Sequence, residues 1–106
     1  RGKKMKLLYI TSKDKQEAKT IAKALVKEKL IACANIHEID FVYGEKDKIE
    51  EGNEVVMIAK TSDELVYEAM EKVKSMHSYE CPCILVLPVE TANKEYVEWV
   101  NSVTKN

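Results

Sequence analysis

Apolar positions repeat along the chain with two alternating periods. Leu7-Leu8-Tyr9-Ile10 is an apolar run inside residues 6–11 and predicts a strand. Ser12-Lys13 breaks it. Asp14 followed by Glu17 has the form of a capping box with Asp14 as N-cap. Ala18, Ile21, Ala22, Leu25 and Val26 then recur at spacings of three and four, which predicts a helix ending near Lys29. Residues 31–43 read as a long strand, with Ile39, Phe41 and Tyr43 on one face. A polar turn is expected over 44–47. Residues 49–60 return as a strand centred on Val55-Val56-Met57-Ile58, making a long hairpin. Thr61 with Glu64 reads as a second capping box. Behind it Val66, Ala69, Met70, Val73 and His77 line one helical face. Residues 84–89 form another apolar strand. Asn93 can cap a final helix with Tyr96, Trp99, Val100 and Val103 on one side.

Strand, helix, strand, strand, helix, strand is the order of a ferredoxin-like βαββαβ sandwich, here with an extra C-terminal helix. The expected class is therefore α+β, an antiparallel sheet with both main helices on one face. A sheet with a solvated second face should alternate apolar and polar residues. Leu7 to Ile10, Val55 to Ile58 and Ile84 to Leu87 do not alternate. The last helix is short, so other copies of the chain are expected to cover the rest of that face.

Composition narrows the classes. The 106 residues suit one domain, taken as 5–104, with 1–4 read as a tail ahead of Met5. Hydrophobic residues are 45% and charged residues 33%, and the net charge of -1 offers no attraction for nucleic acid or an anionic membrane. No apolar run has the length of a membrane span. Arg1 is the only arginine, against sixteen lysines, so bidentate phosphate grips are not expected. An odd count of three cysteines with no recognisable signal peptide points to the reducing cytoplasm.

Candidate chemistry gathers in Met76-His77-Ser78-Tyr79-Glu80-Cys81-Pro82-Cys83. Thiolate and imidazole suit copper, zinc and other soft or borderline ions. Residues two apart in extended backbone face the same way, so Cys81 and Cys83 can converge, with His77 as a third candidate ligand. The plainer alternative has Cys83 packing as a small hydrophobe and His77 hydrogen-bonding a neighbour. Cys33, among Ile31, Ala32 and Ala34, reads as a buried filler residue.

Several motifs resemble the CutA family of divalent-cation tolerance proteins. They are Glu28 to Asn35, Lys48-Ile49-Glu50-Glu51, Lys60-Thr61, His77 with Tyr79, Glu80 and Pro82, Leu87-Pro88, and Tyr96 with Trp99. The resemblance implies a homotrimer in which one subunit's hairpin extends its neighbour's sheet. It also implies a role in the response to copper and other divalent metals, with no enzymatic activity. Lys60, Tyr79 and Glu80 are family-like and could share an intersubunit cleft. The chain departs from the pattern at Gly44 and Glu45, where the family usually has tryptophans, and at Ser78, usually proline. Ile10 and Met76 stand where copper-linked bacterial members have a cysteine and a second histidine, so of that set only His77 carries over. Cys81 and Cys83 are this chain's own.

Other classes fit less well. An RNA-recognition module shares the strand order, but its stacking aromatics are missing from Glu54-Val55-Val56-Met57-Ile58. No phosphate loop, dinucleotide fingerprint or zinc-hydrolase motif is present, and no orienting residue or oxyanion donor can be named for a Cys/His pair. The alternative to metal tolerance is a metal-independent, PII-like trimer that binds a small polar ligand or a partner protein.

Overall fold

The computed structural model describes residues 4–105. Its elements are β1 (Met5–Ser12), α1 (Lys15–Lys27), β2 (Cys33–Glu45), β3 (Lys48–Ser62), α2 (Val66–Met76), β4 (Ile84–Pro88) and α3 (Lys94–Val103). The strands form one antiparallel sheet in the order β2-β3-β1-β4. This is the predicted ferredoxin-like sandwich with its added C-terminal helix. Of the expected tail, residues 1–3 lie outside the described residues. Lys4 accepts a hydrogen bond from the Asp63 N–H through its carbonyl at 2.7 Å.

Register assigns the two faces. Leu8 lies opposite Ala59 and Val86, and Ile10 opposite Met57 and Ile84, all on one face. Ala18, Ile21 and Leu25 of α1 and Ala69 and Val73 of α2 close over them, fully buried or nearly so. Each buried Leu or Ile here contributes about 1.5–3 kcal/mol. Leu7, Tyr9, Ile58, Leu85 and Leu87 point to the opposite face. There α3 covers one end through the buried Val100. Leu85 and Leu87 of the edge strand stay 50% and 39% exposed, and Trp99 of α3 42%. The non-alternating strands thus leave an apolar surface open, as their pattern requires.

The local ends differ from the expected signals: β2 starts at Cys33 rather than residue 31, and His77 follows α2 rather than lying on its face. Thr61 and Glu64 make no capping box. Thr61 stays in β3 opposite Lys6, and its hydroxyl donates to the Leu30 carbonyl at 2.6 Å. The chain enters α2 instead through a 3₁₀ turn, Asp63–Leu65, with no side-chain cap. The hairpin turn is also tighter than residues 44–47. Lys46 and Asp47 alone form it, with φ of 52° and 65°, the paired positive values of a type I′ turn.

Within β3 only residues 55–62 pair with β1. Residues 48–54 pair with β2 alone, so the hairpin's outer half is a two-stranded arm. It reaches roughly 23 Å beyond the four-stranded part at about 3.3 Å per residue. The molecule measures 50 × 26 × 21 Å, with a radius of gyration of 14.7 Å. A compact chain of this length would have about 13 Å.

Candidate functional site

The segment between α2 and β4 is fastened at both ends by side chains that the fold brings from far along the chain. Asp14 caps α1 by accepting from the Glu17 N–H at 2.8 Å. Glu17 turns back so that Oε1 accepts from the Lys13 N–H at 3.1 Å, leaving Oε2 to accept from the Ser78 N–H at 2.7 Å. One carboxylate therefore joins the start of α1 to the residue after His77. Burial alone would raise this carboxyl. The hydrogen bonds from Ser78 and from the Lys13 backbone outweigh it and hold the carboxyl below its ordinary value.

His77 follows the last residue of α2, with extended backbone and a side chain of 0% exposure. The Tyr79 N–H donates to Nδ1 at 3.0 Å, so the proton of the neutral ring sits on Nε2. Nε2 then donates to the Thr11 carbonyl at 2.7 Å, at the end of β1. Both ring nitrogens are occupied by backbone. The Tyr79 ring packs against the imidazole with centroids 4.8 Å apart, and its hydroxyl donates to Glu54 Oε2 at 2.9 Å. Burial, then Glu54, pushes the Tyr79 phenol up to about 12. Beyond this clamp Cys81 is exposed and Cys83 half-buried, both with free thiols. The Thr11 N–H donates to the Cys83 carbonyl at 3.4 Å, fixing the start of β4.

A second polar cluster lies under α3. The Cys33 thiol and the Tyr96 hydroxyl are 3.3 Å apart, and the Lys60 ammonium donates to Asn35 Oδ1. The hydrogen bond with Cys33, then burial, pushes the Tyr96 phenol up to about 12. Cys33 is half-buried, so it is less a filler residue than a polar partner.

The predicted residues separate accordingly. Lys60 lies six residues from Glu54, Tyr79's partner on β3, or about 20 Å along the strand. Lys60 and Tyr79 therefore sit near opposite ends of the open face within one chain, and Glu80 is exposed. His77, Cys81 and Cys83 share one segment. Among the described residues, no group of three His, Cys, Asp or Glu side chains is placed to hold a metal ion. Glu17 fastens this segment through a contact that patterning did not show. Its one visible signal was the capping box, which accounts for only one of its two carboxylate oxygens.

A polar groove beside the clamp is lined by Lys13, Asp14, Lys15, Glu38, Asn53 and Glu54. Lys15 and Glu38 pair across it at 3.7 Å. Its opposed charges favour no one class of ionic ligand.

The family model for the CutA1 divalent ion tolerance protein matches residues 6–103. The chain belongs to the CutA1 family. It is 41% identical over 98 residues to the divalent-cation tolerance protein CutA of Archaeoglobus fulgidus, covering 92% of this chain and 96% of that protein. The crystal structure of CutA1 from Ehrlichia chaffeensis superimposes with a TM-score of 0.94 at 37% identity, covering 98% of each chain. A CutA structure from Archaeoglobus fulgidus, described as periplasmic, gives a TM-score of 0.91 at 40% identity, covering 95% of this chain and 99% of that one.

Proposed function

We propose that this CutA1 chain acts in the cytoplasmic response to divalent metal ions, copper among them, as a homotrimer without a catalytic step. The observation that carries the self-association is the apolar open face, with Leu85 and Leu87 of edge strand β4 beside Trp99. A two-stranded arm, marginal alone in water, beside an uncovered sheet edge is the complementary pair such an assembly uses. The metal-tolerance role is supported by the family. Copper is the candidate ion, and the exposed Cys81 with the half-buried Cys83 is its candidate contact.

Sedimentation or light scattering should give a mass near three times 12.1 kDa. Leu85→Glu should drive the protein toward single chains, and a wild-type mass of one chain would overturn the assembly. Cells lacking the protein should grow less well than their parent in excess copper. Equal growth would remove the tolerance role, and recovery of the protein in a periplasmic fraction would overturn the cytoplasmic placement.

A further inference from the structure

The sheet forks where the arm begins. Ser12 and Val55 are the last paired residues of β1 and β3, and Glu54 is the first residue of β3 beyond them. From there outward β3 pairs with β2 alone. A two-stranded ribbon twists more strongly than a full sheet, so pairing alone leaves the arm's direction loosely set. Direction matters at this length. A swing of about 10° at the fork moves the tip by about 4 Å, close to the spacing between neighbouring strands. An arm misaimed by that much would miss the register of a neighbouring chain's edge strand.

His77 and Tyr79 hold both sides of this fork. His77 Nε2 donates at 2.7 Å to the carbonyl of Thr11, the residue before Ser12, and its ring is fully buried. Tyr79 is seated on that ring. Its N–H donates to Nδ1 at 3.0 Å, and the two ring centroids are 4.8 Å apart. From this seat the phenol donates to Glu54 Oε2 at 2.9 Å. The contact joins the segment leading into β4 to β3, which lies on the other side of β1 in the sheet. It falls on the first residue of the arm. The phenol is pushed up to about 12, first by burial and then by Glu54, so it stays a donor at neutral pH. Glu17 steadies the intervening Ser78 by accepting from its N–H at 2.7 Å. We propose that His77 and Tyr79 form a bracket across the fork, and that Tyr79, through Glu54, sets the direction in which the arm leaves the sheet to meet a neighbouring chain. Tyr79 is then a positioning residue for assembly. The aim toward a neighbour rests on the homotrimer reading, whereas the bracket rests on these contacts alone.

Amide hydrogen exchange and subunit exchange test this in the full chain. Tyr79→Phe keeps the ring over His77 and removes only the hydroxyl. Exchange at the amides of residues 48–54 should quicken about tenfold relative to wild type, while that of β1 and α1 stays within about twofold. When labelled and unlabelled protein are mixed, Tyr79→Phe chains should swap between trimers about tenfold faster than wild type. Glu54→Ala should behave like Tyr79→Phe. Glu54→Gln, which keeps an acceptor oxygen, should stay within about threefold of wild type. Unchanged arm protection in Tyr79→Phe would overturn the bracket, as would a quickening shared equally by β1 and α1. A looser arm with unchanged subunit exchange would keep the bracket and overturn its part in assembly. A wild-type chain that sediments singly sinks the homotrimer, and hydrogen exchange at the arm then still decides the bracket.

Discussion

Glu17 shows how much one carboxylate can organise. It holds Lys13, just ahead of α1, and Ser78, sixty-one residues away, with a side chain only 9% exposed. Its carboxyl is lowered from 4.5 in the folded protein. A lowered carboxyl contributes stability that is present above its ordinary value and lost as pH falls through the folded one. Glu17→Gln should therefore cost about 1.5 kcal/mol at pH 7. The difference from wild type should shrink steadily below pH 4.5, as read by urea unfolding at each pH. A gap that stays constant into acid would mean that shape, not charge, holds the clamp. The neighbouring His77 illustrates what a sequence can show about a residue. Its burial was legible from spacing, but its place was not, because it is the extended residue just after α2 and not part of the helical face. Nor was the occupation of both nitrogens, because Thr11 is distant in sequence and Tyr79 uses only its backbone.

At the level of elements, helix and strand bodies were legible because one-sided burial imprints periods of 3.6 and 2 residues. Their ends depend on single atoms, and there the reading failed or stayed silent. The Thr61–Glu64 pattern has the letters of a cap, yet pairing with Lys6 keeps Thr61 in the sheet. The end of α1 is a Schellman motif without its usual glycine. The Lys29 N–H reaches the Val26 carbonyl at 3.0 Å and the Leu30 N–H the Leu25 carbonyl at 2.9 Å, with Lys29 at φ 59°. Leu30 and Leu25 are both buried and provide the accompanying apolar contact. A side chain in this left-handed region is disfavoured, whereas glycine enters it freely. Lys29→Gly should therefore raise stability by about 1 kcal/mol, measured by chemical denaturation. A loss of stability instead would show that the Lys29 side chain contributes more than its backbone strain costs.

For the whole molecule, the uncovered face was legible because three strands carry apolar residues at successive positions. The polar pairs at its two ends were not, because Cys33 and Tyr96 lie sixty-three residues apart and Tyr79 and Glu54 twenty-five. The arm of the hairpin has a further consequence for the order in which the chain folds. Its strands meet across a two-residue turn, whereas Met5 reaches Ser62 only after more than fifty residues have been closed into a loop. Hairpins close in roughly 1–10 μs, so this one can be in place before the central strand arrives between β3 and β4. Lys46 and Asp47 would then act early. Replacing them with Asn-Gly should speed refolding about fivefold at dilute concentration, the kinetic equivalent of about 1 kcal/mol, and leave the unfolding rate unchanged. A change confined to the unfolding rate would place hairpin closure after the rate-limiting step. Until β1 docks, the edge of β3 that it pairs with lies open, and the brief interval before that docking is when the chain is most exposed to aggregation.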